Sequence, residues 1–267
     1  AEKTKNTVYP VHIQSGIGSL DLTLDGFVGG ELIIISGNVK SGKTTICQTI
    51  TSNLSDRGTK SLWFSFEMSM RQFVTNFGES VPEFVFVPSQ LKNTTLLWIK
   101  SKILEAILKY DIKVVFIDHL GFVADLVHKQ DRRIEIDSIV REIKLLAVEL
   151  DIVVFLVHHI KKIEKGEVPG YEDLKESSAV AQDSDKVLMI WREMEQVKGH
   201  RGEFAPTGKT ILSVEIDRRM GVYKKRFDLI LENNKFKEFF YDPNKQGCAD
   251  ATYSNNETRP QLADPLE

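Results

Sequence analysis

Leu32-Ile33-Ile34-Ile35-Ser36-Gly37-Asn38-Val39-Lys40-Ser41-Gly42-Lys43-Thr44 is the stretch on which the fold turns. Consecutive aliphatic residues without polar alternation are what a strand buried on both faces of a sheet presents. Gly37 to Thr44 then match G-x-x-x-x-G-K-[ST]. In that loop glycines let the backbone wrap a polyphosphate, while amides and a following helix N-terminus face the anion. A helix is predicted from Thr45 to Leu54, so strand, loop and helix stand in the order the motif requires. On this reading Gly37, Asn38, Val39, Lys40, Ser41, Gly42, Lys43, Thr44 and Thr45 bind a nucleotide, with Lys43 on the β and γ phosphates and Thr44 on Mg2+ through its hydroxyl. ATP or another nucleoside triphosphate, together with Mg2+, is the expected cofactor set.

Outward from the loop, more apolar runs lack polar alternation: Leu62 to Phe64, Val114 to Ile117 and Ile152 to Val157. Between them lie helical periods. Ile136, Ile139, Val140, Ile143, Ala147 and Leu150 recur at i, i+3, i+4 spacing, and a second stripe runs from Leu96 through Ile103, Leu104, Ile107 and Leu108. The pattern is α/β, a mainly parallel central sheet flanked by helices. After Lys186 it turns to strands at Val187–Trp191 and Thr210–Ile216, then a hairpin of Phe227–Leu231 and Phe236–Tyr241 around Asn233-Asn234. Antiparallel C-terminal strands are expected to extend the sheet. The predicted organisation is an N-terminal extension over 1–7, one ATPase domain over 8–241 and a poorly ordered tail over 242–267, rich in Asn, Asp, Gly and Pro.

Two acids end buried strand candidates. Asp118 follows Val114 to Ile117, where a metal-side carboxylate is needed, although Asp at that place also caps following segments. Glu67 closes the Leu62 to Phe66 run, where it would orient or deprotonate an attacking water, or simply be solvated. His158-His159 ends a third strand.

These motifs together resemble the RecA-like motor domain of hexameric replicative DNA helicases, the DnaB family with the phage primase-helicases and mitochondrial Twinkle. The resemblance runs over most of Val8 to Phe240, through Ser15 to Asp21, Phe64 to Ser69, Val115 to Leu120 and Asp173 to Asp185. The last segment is the most family-specific. The resemblance implies that Glu67 is the catalytic glutamate, Asp118 the Walker B aspartate and His159 the γ-phosphate sensor, with His158 one register away. It aligns Arg219 with an arginine finger contributed to the neighbouring subunit. Here Asp217-Arg218-Arg219 departs from the family's Lys-x-Arg, leaving Arg218 as the alternative second contact. Loops holding Lys129, Arg132 and Arg133, and Lys161, Lys162 and Lys165, would line a channel for single-stranded DNA, tracking phosphates rather than reading bases. Such charge runs are also ordinary solvated faces.

The implied function is an ATP hydrolase coupled to DNA unwinding: a motor that translocates on single-stranded DNA as a hexameric ring, with primase as a further partner. The competing readings are a RecA- or KaiC-like ATPase acting in recombination, repair or switching without unwinding, and a non-motor ATP-dependent loader or scaffold protein. Because the motor pattern starts near residue 1, a primase-like or helical N-terminal domain is expected to be absent or removed.

Composition agrees with a folded ATPase and excludes other classes. Hydrophobic residues make up 42% and charged residues 27%, enough for a core. No run approaches a membrane span, so no membrane partner is expected. Only Cys47 and Cys248 occur, which points to a reducing compartment, the cytoplasm or nucleoid. A net charge of −3, from 35 basic and 38 acidic residues, excludes a globally basic nucleic-acid coat, so any DNA path must be local. Trp63, Trp98 and Trp191 read as core, as does Cys47.

Overall fold

Leu32 and Ile34 enter one apolar core and Ile33 and Ile35 a second, on the opposite face of the sheet. The same alternation splits Val115 and Ile117 from Val114 and Phe116, and Val154 and Leu156 from Val153 and Phe155. Period-two side chains with both faces buried explain why these strands read as unbroken apolar runs. The structure, a computed structural model, describes residues 11–78, 80–88, 95–123, 132–161, 163–164, 166–174, 179–197 and 203–240. The extension at 1–7 and the tail at 242–267 lie outside the described residues.

In chain order the elements are α1 (Gly18–Leu24), β1 (Leu32–Gly37), α2 (Lys43–Asp56), β2 (Ser61–Ser65), α3 (Met70–Thr75), β3 (Val85–Phe86), α4 (Leu96–Tyr110) and β4 (Val114–Asp118). They continue with α5 (Arg132–Leu150), β5 (Val153–His159), α6 (Ala179–Asp183), β6 (Lys186–Gln196), β7 (Phe204–Asp217), β8 (Lys225–Glu232) and β9 (Lys235–Glu238). The sheet order is β3-β2-β4-β5-β1-β6-β7-β8-β9. Strands β3 to β6 in that order run parallel, and β7, β8 and β9 are antiparallel additions. Helices α4 and α5 cover one face, while α1, α2 and α3 cover the other. Trp63 and Cys47 are fully buried, and Trp191 nearly so. No helix among the described residues is long and apolar enough to cross a membrane.

The C-terminal extension departs from expectation at its first strand. β6 pairs parallel with β1, because the chain returns to the starting end of the sheet after β5, and antiparallel pairing begins only at β7. β7 is longer than its apolar part, starting at Phe204, and β9 ends at Glu238. The turn between β8 and β9 uses Asn233 and Asn234 at φ 48° and 62°, the left-handed pair that a tight hairpin needs.

Two long-range devices close the domain. Phe236 of β9 donates its backbone N–H to Thr49 Oγ1 of α2 at 3.0 Å, and the Glu238 carboxylate accepts from Gly18 N at 3.0 Å and Ser19 N at 2.8 Å. At the other end of the sheet, fully buried Lys186 bonds Glu31 at 2.5 Å and Asp217 at 3.1 Å, tying the entry to β1, the start of β6 and the end of β7.

Candidate nucleotide-binding and catalytic site

The loop between β1 and α2 is built around two glycines in conformations that L side chains avoid. Gly37 has φ 151°, and a Cβ there would overlap the Ile190 carbonyl oxygen; Gly42 has φ 101°, and its Cβ would sit 2.8 Å from the Phe236 ring. Both positions therefore require glycine. Val39 and Lys40 are exposed at the loop tip, Ser41 and Lys43 are buried, and Thr45 is half-buried. Lys43 Nζ donates to the Gly37 and Asn38 carbonyls at 3.1 and 2.8 Å, so its ammonium lies within the curl of the loop. Burial holds the Lys43 pKa below its ordinary value, against the upward pull of Asp118 and Glu67.

Parallel pairing brings the ends of β1, β2, β4 and β5 to the same edge. Asp118, the last residue of β4, is completely buried, and its Oδ2 accepts from Thr44 Oγ1 at 2.7 Å. Its Oδ1 is buried with no hydrogen-bond partner among the described residues. Burial pushes this carboxyl up to about 6, helped by Glu67 and opposed by the Thr44 bond and Lys43. A hydroxyl and a carboxylate with an unfilled oxygen are the hard donors that Mg2+ takes, so these residues fit that ion. The curl holding the Lys43 ammonium likewise fits a polyphosphate.

Glu67 stands exposed just beyond β2, and its carboxylate lies within 4.8 Å of one nitrogen each of His119 and His159. The rings of His119 and His159 meet edge to face, 4.4 Å between centroids. His159 pairs with Gly37 across β5 and β1, and burial, with Lys43 and His119, holds its pKa down at about 4. His158 is buried, and its carbonyl accepts from Ser36 Oγ. The register thus leaves His159 and not His158 in this cluster. His119 had no role in the reading of the sequence, although it follows Asp118 directly.

Arg219 lies away from this edge. β7 runs antiparallel and ends where β6 begins, so Arg219 sits at the opposite end of the sheet, roughly 15–20 Å away at about 3.3 Å per strand residue. There its Nη2 donates to the Leu24 and Gly26 carbonyls at 2.7 and 2.6 Å, and its Nε to Glu31 Oε1 at 3.0 Å. Arg218 donates to the Gln182 and Ser184 carbonyls. Each guanidinium serves carbonyls left open where a short helix ends. Lys161 is exposed, with its backbone N–H bonded to the Asp173 carbonyl. Lys129, Lys162 and Lys165, and the side chains of Arg132 and Arg133 at the start of α5, lie outside the described residues.

A mainly parallel sheet with a glycine-built phosphate loop between its first strand and the next helix, and a buried acid ending β4 at the same edge, is a P-loop fold of the RecA type. The family model for the DnaB-like helicase C-terminal domain matches residues 12–81 and 79–237. The chain belongs to that family. It is 25% identical over 217 residues to the replicative DNA helicase DnaB of Treponema pallidum (strain Nichols), covering 70% of this chain and 50% of that protein. It is 26% identical over 253 residues to a probable replicative DNA helicase of Trieres chinensis, covering 81% of this chain and 55% of that protein. The chain thus spans about half the length of the curated relatives it matches. Among solved structures, a DnaB-like replicative helicase described with its primase interactions superposes with a TM-score of 0.72 at 18% identity, over 86% of this chain and 62% of that one. A second solved structure, an ATPase domain, gives 0.71 at 18% identity, over 88% of this chain and 93% of that one. None of these relatives favours the recombination or switching alternative.

Proposed function

We propose that this chain is the motor of a replicative DNA helicase, hydrolysing ATP with Mg2+ to move on single-stranded DNA as a hexameric ring. The observation that carries this reading is the convergence of Lys43, Thr44, Glu67, Asp118 and His159 at one sheet edge, in a member of the DnaB-like helicase family. Lys43 balances charge on the outer phosphates, a role supported by its hold on two carbonyls inside the loop. Thr44 and Asp118 would hold Mg2+, which would supply charge compensation at the phosphate oxygens. Glu67, exposed beside His159, takes the proton of the attacking water. His159, neutral at physiological pH, offers a hydrogen bond that reports the terminal phosphate. Arg219 is the candidate finger for a neighbouring subunit, and reaching out would require leaving Leu24, Gly26 and Glu31. Lys129, Arg132, Arg133, Lys161, Lys162 and Lys165 would follow the DNA phosphates. Primase is a candidate partner by analogy with the solved relative.

The test is DNA-stimulated ATP hydrolysis. Glu67→Gln is expected to keep nucleotide binding and lose at least a hundredfold in turnover, whereas Lys43→Ala loses both. Single-strand affinity should fall with salt at a slope of about −0.7 per phosphate contacted, and more gently in Lys161→Ala/Lys165→Ala. Normal turnover in Glu67→Gln, or a lack of stimulation by DNA in an assembled ring, would overturn the reading.

A further inference from the structure

The Mg2+ pair Thr44 and Asp118 offers only oxygens, but the neighbouring cluster of Glu67, His119 and His159 offers two imidazoles and a carboxylate. We propose that this cluster is a second metal site, selective for imidazole-preferring divalent cations of the Zn2+ class, and that its occupation arrests the motor. The binding claim stands on the three side chains alone; the arrest rests on the roles assigned above to Glu67 and His159.

The donor set is the first argument. Two histidines and a glutamate bind Zn2+ with a fourth position open, at bond lengths of about 2.0–2.2 Å. Ions of this class prefer imidazole, whereas Mg2+ prefers oxygen and keeps its waters, so the two sites sort the two ions by chemistry. Geometry is the second argument. One ligand atom from each side chain lies within 4.8 Å of the others. Tetrahedral binding at those bond lengths needs about 3.3 Å between donors, so the cluster must close by about 1.5 Å at most. The histidines are already ring to ring at 4.4 Å, and exposed Glu67 is the arm free to swing in.

The nitrogens decide what binding displaces. His159 Nδ1 is buried and has no hydrogen-bond partner among the described residues. His119 Nδ1 accepts from Gly121 N–H at 2.9 Å, which in the neutral ring leaves the proton on Nε2. A cation at Nε2 moves that proton to Nδ1 and breaks the Gly121 bond, and that bond is an ordinary hydrogen bond in cost. The imidazoles gain a metal bond in return. A cation held here ties Glu67 and His159 to itself, leaving neither for water or phosphate.

Cobalt reports the site without any turnover. Co2+ titrated into the full chain, free of nucleotide, should give the visible absorption of a nitrogen- and oxygen-ligated ion at one equivalent, displaced by one equivalent of Zn2+. His119→Ala should weaken cobalt binding at least tenfold, with circular dichroism and nucleotide affinity as controls for folding; if that variant is unstable, His119→Asn is read in its place. In the presence of Mg2+ and ATP, micromolar Zn2+ should stop turnover reversibly, a chelator should restore it, and His119→Ala should need at least tenfold more Zn2+ relative to its own zinc-free rate. No cobalt binding below millimolar, or an affinity unchanged by His119→Ala, overturns the site. A chain that binds cobalt yet does not hydrolyse ATP would keep the site and lose the motor assignment.

Discussion

Asp118 holds one oxygen on Thr44 and one with no partner among the described residues, in a setting that raises its carboxyl from 3.8 to about 6. Between those values the folded chain binds more protons there than the unfolded chain, so the metal-free protein loses stability as pH rises through that window. His159 has the opposite sign. Its imidazole falls from 6.5 to about 4, so the folded chain binds fewer protons and stability is lost as pH falls. The two slopes offset each other in the native chain between about pH 4 and 6. Asp118→Asn removes one of them. The variant is expected to be more stable without metal by about 1–3 kcal/mol at pH 7, and to lose stability more steeply than the native chain on acidification below 6.5, read from urea unfolding across pH. A less stable Asp118→Asn would contradict the burial cost. The phosphate loop and Asp118 were legible in the sequence because each follows an unbroken apolar run. The choice between His158 and His159 was not, since it depends on which face of β5 lies toward α2 and the phosphate loop. His119 was hidden for a similar reason: its position acquires meaning only when β4 and β5 pair and bring it against His159.

At the scale of elements, the buried charges at the starting end of the sheet are the most exacting feature. Lys186→Ala leaves Glu31 and Asp217 facing each other with less compensation, and a broken buried pair costs about 3–5 kcal/mol. The expected outcome is a large drop in the urea midpoint with an unchanged slope. Thr49→Val tests the clasp of β9 on α2. It leaves the Phe236 N–H without its acceptor, an expected loss of about 1–3 kcal/mol by the same melts, together with weaker nucleotide binding because the Phe236 ring backs Gly42. Neither feature shows in an apolar pattern, since each joins residues more than 150 positions apart. Strand and long-helix positions were legible, because two buried faces and 3.6-residue stripes leave periodic marks. Short α1, α3 and two-residue β3 leave too few periods to read. The parallel run of β6 depends on the path of the chain after β5 and not on its own residues.

For the whole molecule, the proposed role of Arg219 as a finger for a neighbouring subunit would make the active site a shared one, since Arg219 lies roughly 15–20 Å from its own phosphate loop. An in-trans arginine is worth about 10³ to 10⁵ in rate where it is known. Arg219→Ala is expected to bind ATP but not turn it over, and to unfold somewhat more easily because it leaves the Leu24 and Gly26 carbonyls and Glu31. Mixed with Lys43→Ala, also inactive, it should regain partial turnover in co-assembled rings, where an intact Lys43 meets an intact Arg219. No recovery despite co-assembly would remove Arg219 from the reaction and turn the test to Arg218. The clasp of β9 on α2 also bears on how the chain is made. Thr49 and its bonded partner Phe236 are 187 residues apart, which at about 5–20 residues per second separates their synthesis by roughly ten to forty seconds. Throughout that interval the nascent helix behind the phosphate loop lacks its aromatic cover. A ribosome-bound chain is therefore unable to complete its nucleotide pocket until translation has passed the β8–β9 hairpin.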